Sequence, residues 1–238
     1  MDTECVTAEA LALGASKVRV ADLALLSGIE TSPPDLLAPY TRAVSLAIAL
    51  DAGPLADIVD GPTRSYADHY RAVNVRLTRL VEGLAALFTG HGYTALALRP
   101  TTEHFDRVRC LDQLSHKAVA VAAGIGWQGK SLVTVSPEYG PRIRLGTVLT
   151  DAPLAPHGPI KNRCAGCTAC VEACPAGAIK GASTDGHYAS RDEALHFERC
   201  RRLLMEEFAA RPGINASICG VCVAVCPWGR RHSRLSGR

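Results

Sequence analysis

The run Cys164-Ala-Gly-Cys167-Thr-Ala-Cys170-Val-Glu-Ala-Cys174-Pro175 constrains this chain more than any other stretch. It reads C-x2-C-x2-C-x3-C-P. Three cysteines so close together wrap the backbone around one face of an iron–sulfur cubane. The fourth, leading into Pro175, heads the next segment and ligates a different cluster. A structural zinc site instead gathers two close ligands from one turn and two from another, a division this run lacks. The small residues Ala165, Gly166, Thr168 and Ala169 let backbone N–H groups approach the cluster sulfurs.

A shorter run follows, Cys219-Gly-Val-Cys222-Val-Ala-Val-Cys226-Pro227, one cysteine short of a full repeat. Cys200, 19 residues upstream, can supply the missing ligand. The count then closes at eight thiolates, enough for two 4Fe–4S clusters. Crossing over the last cysteine of each run gives Cys164, Cys167, Cys170 and Cys226 to one cluster. Cys174, Cys200, Cys219 and Cys222 make the other. The competing reading is one working cluster beside a decayed second site.

Other classes recede on composition. A disulfide framework suits a short secreted chain, whereas this one has 238 residues and opens on the acidic Met1-Asp-Thr-Glu-Cys5, with no secretory signal. The longest apolar stretch, Ala118 to Trp127, falls short of the roughly 20 residues that span a bilayer. A cytoplasmic protein without a membrane partner is expected. Net charge of +3 is too weak a field to imply nucleic acid, and 5% aromatics leave few stacking platforms for bases.

The residues before the cysteine runs read as an α/β (α+β) domain. Helix is expected over 7–14, strand over 17–26, and a buried strand over 43–50. A long amphipathic helix carries Val73, Leu77, Leu80, Val81, Leu84, Leu87 and Phe88 on one stripe and stops at Gly90-His-Gly92. Strands are expected over 93–98, 131–136 and 143–150, with a helix over 112–123. Gly124-Ile-Gly126-Trp127-Gln-Gly129-Lys130 invites a phosphate-loop reading, but a helix before it and a strand after it reverse the order such a loop needs. A Pro- and Gly-rich linker from Asp151 divides the chain into residues 1–155, binding cofactor or substrate, and 156–238, a ferredoxin-like double-cluster module.

Together these stretches resemble the epoxyqueuosine reductases and their shorter relatives with a double 4Fe–4S cluster binding domain. The resemblance covers most of the chain. It rests on Gly124 to Lys130, Pro137-Glu-Tyr-Gly140, Leu145-Gly-Thr-Val-Leu-Thr-Asp-Ala-Pro-Leu154, the run from Cys164 to Pro175, Cys200, and Cys219 to Trp228. It implies a corrinoid (cobalamin) in the N-terminal domain, two cubanes feeding electrons to its cobalt, and reduction of an epoxide on a modified tRNA base. It also implies the crossed ligand sets, and cofactor contacts at Trp127 and Lys130. On residue type alone, Trp127 reads as core and Lys130 as exposed.

The longer enzymes carry an acidic proton donor upstream of the Gly-x-Gly-Trp motif. Counting back without a gap reaches Cys110, with Asp112 two positions on; a thiol with a reference pKa near 8.5 is the weaker acid. Cys110 and Asp112 are the catalytic candidates, and a buried structural thiol is the plainer reading of Cys110. Asp68-His69-Tyr70 inverts an order typical of those enzymes, and Arg64, His69 and Tyr70 read first as polar or capping groups of the long helix. With 12 residues after Cys226, the helical repeats that hold tRNA are not expected, nor is stable tRNA binding. Arginines 199, 201, 202, 211, 230, 231, 234 and 238 can face solvent and balance cluster charge, hold a phosphate backbone, or meet an acidic redox partner.

A reductase acting on a small molecule or modified nucleoside, with reduced ferredoxin or flavodoxin as donor, is the expected function. An elaborated ferredoxin and a corrinoid-protein reactivator are the alternatives. The carrier has no evident use for the residues ahead of Cys164.

Overall fold

The structure is a computed structural model and describes residues 1–100, 105–106 and 110–233, with backbone alone at 231–233. In chain order the elements are α1 (Thr3–Ala12), β1 (Lys17–Asp22), β2 (Arg42–Ala49), α2 (Gly53–Ala56), α3 (Arg64–Gly90), β3 (Ala95–Leu98), α4 (His116–Ala122), β4 (Trp127–Gln128), β5 (Thr134–Val135) and β6 (Ile143–Thr150). Then come α5 (Ala169–Glu172), α6 (Arg191–Ala194), α7 (Phe197–Arg202), α8 (Val221–Ala224) and α9 (Pro227–Ser233). Two compact units interleave along the sequence. Met1–Ile48, Val73–Gly126 and Arg144–Ile160 make the first; Ala49–Ala72, Trp127–Ile143 and the chain from Lys161 onward make the second.

The first unit is built on a sheet in the order β1-β2-β6-β3. β1 and β2 are antiparallel, Lys17 facing Ala47 and Asp22 facing Arg42, as are β3 and β6, Ala95 facing Thr150. β2 is buried at every position from Ala43 to Ile48, which explains why its sequence runs apolar without alternating. Val73, Leu77, Leu80, Val81, Leu84 and Phe88 of α3 are buried. Gly146 of β6 lies under this stripe: a Cβ there would stand 2.7 Å from Val81 Cγ1 and 3.2 Å from Leu77. Only hydrogen fits that gap. A further apolar cluster joins Ala118, Val119 and Ala122 of α4 to Leu23, Leu26, Leu98 and Leu149.

Several boundaries differ from expectation, each for a local reason. α1 begins at Thr3 rather than 7, because Asp2 caps it by accepting from Cys5 N at 2.9 Å. The strand expected to reach Leu26 ends at Asp22, whose carboxylate accepts from Ala24 N and turns Leu23–Leu26 into a 3-10 helix. α4 starts at His116 rather than 112, where Ser115 accepts from Ala118 N. The strand expected over 131–136 shrinks to Thr134–Val135 and pairs with β4, a strand that the sequence does not signal.

The second unit has little regular structure beyond the β4–β5 pair and short helices. One apolar cluster in it joins Leu132, Ile179, Tyr188, Ala194 and Leu195, packed against Cys170, Cys174 and Cys222. Ser190 and Glu193 close a reciprocal capping box on α6. Among the described residues no helix is long and apolar enough to cross a membrane.

Candidate metal centre

Asn162 anchors the first cysteine run. Its Oδ1 accepts from Cys164 N at 2.8 Å, while its Nδ2 donates to Gln128 O and Thr184 O at 2.8 and 2.7 Å. The chain then turns tightly, Cys167 N donating to Cys164 O, with Ala165 at φ +43. Cys170 rides on α5, Cys200 on α7 and Cys222 on α8, while Cys226 immediately precedes α9. Cys167 is exposed; the other seven are half-buried.

These side chains crowd one another, and Cys170 and Cys222 link the crowding around both runs. Burial pushes the Cys170 thiol up to about 11, and Cys164, Cys226 and Cys167 add to it. Burial likewise pushes Cys222 up to about 12, with Cys219, Cys170 and Cys200 adding. Cys219 is raised by burial and by its neighbour Cys174, among others. Thiolates packed this way repel one another unless positive charge lies between them, and iron supplies it. Cys164, Cys167, Cys170 and Cys226, with Cys222, line one cavity. Among the described residues no three His, Cys, Asp or Glu side chains converge on a single ion.

Trp127 is fully buried, and its Nε1–H donates to Cys164 Sγ at 3.3 Å. Trp228 meets it edge-on at 4.9 Å, and the Arg163 guanidinium stands 5.8 Å and 6.0 Å from the two rings. Lys130, expected at the surface, is only 8% exposed. Its Nζ donates to Ala165 O at 2.8 Å and Cys167 O at 3.1 Å, and two carbonyls offset the cost of burying the ammonium. Ser131 hydrogen-bonds Cys222, and Ala178 N donates to Cys174 Sγ at 3.3 Å. Sequence reasoning did not single out Asn162, Arg163 or Ser131; polar residues beside a cysteine run carry no pattern of their own.

The remaining candidates are placed by their own local contacts, and Arg211 also acts on Cys219. Cys110, half-buried rather than buried, sits at φ +50 in the first unit. Asp112, also half-buried, accepts from Gln113 N. His69 Nε2 accepts from Asp51 N at 3.1 Å, and Tyr70 stacks obliquely on Tyr66 at 6.5 Å. Arg201 pairs with Glu198, Arg211 covers Phe208, and Arg230 donates to Ala224 O. Arg234 and Arg238 lie outside the described residues. The glycine run follows α4 and leads into β4, so a phosphate loop is not formed there.

The profile of the 4Fe-4S double cluster binding domain matches residues 163–229. The chain is 37% identical over 116 residues to the epoxyqueuosine reductase of Bacillus cereus, across 48% of this chain and 30% of that enzyme. To the epoxyqueuosine reductase of Synechococcus sp. strain CC9605 it is 31% identical over 218 residues, 89% of this chain and 63% of that one. This chain is similar to epoxyqueuosine reductases across most of its length. It binds two 4Fe–4S clusters, and its matched stretch spans less than two-thirds of these relatives' length. Among solved structures, the epoxyqueuosine reductase of Bacillus subtilis aligns with a TM-score of 0.61 at 24% identity, covering 95% of this chain and 65% of that one. The catabolic reductive dehalogenase NpRdhA, in complex with 3-bromo-4-hydroxybenzoic acid, aligns with a TM-score of 0.75 at 21% identity, covering 98% and 33%. Sequence similarity and shared fold therefore extend well beyond the cysteine runs.

Proposed function

We propose that this chain is an iron–sulfur reductase that passes single electrons through its two clusters to an acceptor held by the N-terminal domain, residues 1–155. Cys164, Cys167, Cys170 and Cys226 hold the first cluster, and Cys174, Cys200, Cys219 and Cys222 the second. The observation that supports this reading is the crowding of cysteines from both runs, with Cys226 acting on Cys170 and Cys174 on Cys219. When bound, the clusters supply one-electron transfer. The chain's own residues bind and insulate them: Trp127, Ser131 and Ala178 direct hydrogen bonds at the cysteine sulfurs, and Lys130 fastens the 164–170 run.

The substrate side rests on the family. The relatives are named for reduction of epoxyqueuosine, and one solved relative carries an epoxyqueuosine-modified tRNA stem loop, which supports a modified nucleoside as substrate. An open hollow of about 720 Å³ in the first unit, floored by Leu23, Leu26, Ile29 and Leu37, has room for a molecule of that size. Reduced ferredoxin or flavodoxin is the electron donor, Cys110 or Asp112 the proton donor, and the protein works in the cytoplasm. Stable binding of a whole tRNA is not part of the proposal. A corrinoid is carried by family resemblance and by a structural neighbour described as B12-dependent. The polar ends of Trp127 and Lys130 are already engaged by the cysteine runs, so no step is assigned through it.

Anaerobic purification with added hydroxocobalamin, followed by iron, sulfide and cobalt analysis of one sample, tests the reading. About eight irons with stoichiometric cobalt support a reductase that uses a corrinoid. About eight irons without cobalt move the protein toward a carrier. Zinc without sulfide overturns the proposal. Cys226→Ser should abolish the spectroscopic signature of one cluster and leave about four irons; the same signature should vanish in Cys164→Ser. Loss of different signatures in the two variants would mean the ligand sets are not crossed.

A further inference from the structure

The loop between β4 and β5 touches cysteines of both groups, yet its function is not explained by holding iron. Three features concentrate on the Cys164 group. The first is the indole N–H of Trp127, aimed at Cys164 Sγ from a fully buried ring. The second is the buried ammonium of Lys130 on the carbonyls of Ala165 and Cys167. The third is Arg163, whose guanidinium lies near both tryptophan rings just ahead of Cys164. Among the described residues neither Lys130 nor Arg163 is paired with a carboxylate. Their positive charge is therefore not cancelled locally.

A cluster gains one negative charge on reduction. Hydrogen bonds to its sulfurs and nearby uncancelled cations stabilise that added charge more than they stabilise the oxidised form, and so raise the potential. The low dielectric of a buried site strengthens both effects. We propose that Trp127 and Lys130 are positioning residues that set the reduction potential of the cluster on Cys164, Cys167, Cys170 and Cys226, holding it above the value the bare thiolates would impose. Trp127 acts through its N–H, and Lys130 through its charge. The proposal rests on the two-cluster reading above and adds to it which side chains set the potential of which cluster.

The test is an EPR-monitored redox titration of the full chain, purified anaerobically and carrying both clusters. Trp127→Phe keeps an aromatic ring and removes the N–H. One of the two clusters should then be about tenfold less reduced at a fixed applied potential, a shift of about 59 mV to lower potential, while the other stays in place. Lys130→Met should lower the same cluster, and Lys130→Arg should restore it. A measurement on the unaltered protein covers the case in which a variant loses iron. With indole-15N-labelled tryptophan, pulsed EPR of the reduced protein should show 15N coupling to one cluster only. Iron-replete variants with unchanged potentials, or no indole coupling in the labelled protein, would overturn this inference and leave the two-cluster reading standing. An iron-free and sulfide-free wild-type preparation would instead remove that reading itself.

Discussion

His116 shows how a single side chain can be assigned its protonation state from its partners. Its Nε2 faces Arg99 O at 2.9 Å, and a carbonyl can only accept, so Nε2 carries the hydrogen. Nδ1 is then free to accept from Thr147 Oγ1 at 2.8 Å. Burial, the largest influence, holds the pKa below its usual 6.5. The unfolded chain therefore takes up a proton that the folded chain refuses. This contribution to stability is complete above 6.5 and is lost as the pH falls from there toward the folded value. Thermal unfolding measured between about pH 8 and about pH 5.5 should show a steeper loss in the wild type than in His116→Gln. At Gly140 the constraint is space. Its φ is +60, and a Cβ would stand 2.2 Å from Gly229 N, against the turn that follows Cys226. Gly140→Ala should cost about 1–3 kcal/mol in urea unfolding. It should also lower iron content, because the turn that carries a ligand must move.

At the scale of elements, α3 and the β4–β5 hairpin give opposite lessons. The stripe of α3 is written in its residues, and its 3.6-residue period makes both the helix and its buried face legible. The reason for its partner's Gly146 is not legible. A glycine inside a strand reads as a weakness until the helix resting on it is known. Gly146→Ala should press on Val81 and Leu77 and destabilise by about 1–3 kcal/mol, read as a lower Tm at unchanged iron content. The hairpin is too short for any periodicity. Its two-residue strands leave no pattern, and Lys130 reads as exposed, because nothing local says that two carbonyls of a loop far along the chain await its ammonium.

The whole molecule divides by what holds each unit together. The first unit has a sheet and helices with a fully buried apolar core. In the second, an apolar cluster packs directly on Cys170, Cys174 and Cys222, so its packing depends on those cysteines being held in place by the metal they bind. Removing iron with a chelator under anaerobic conditions should therefore abolish hydrogen-exchange protection in β4, β5 and the chain from Asn162 to Cys226, while β2 and the later turns of α3 stay protected. Equal loss in both would show that the apolar core of the first unit is not self-sufficient. The cysteine spacing alone determined the class of cofactor and the number of clusters, since ligand geometry within a short run is a local property of the backbone. The continuous apolar strands and the striped helix were likewise local. Only the tertiary structure decided the interleaving of the two units, the turn of Trp127 and Lys130 toward the cysteine runs, and the tight seats of Gly140 and Gly146. Each of those depends on a contact between residues far apart in the chain, and no window of sequence contains both partners.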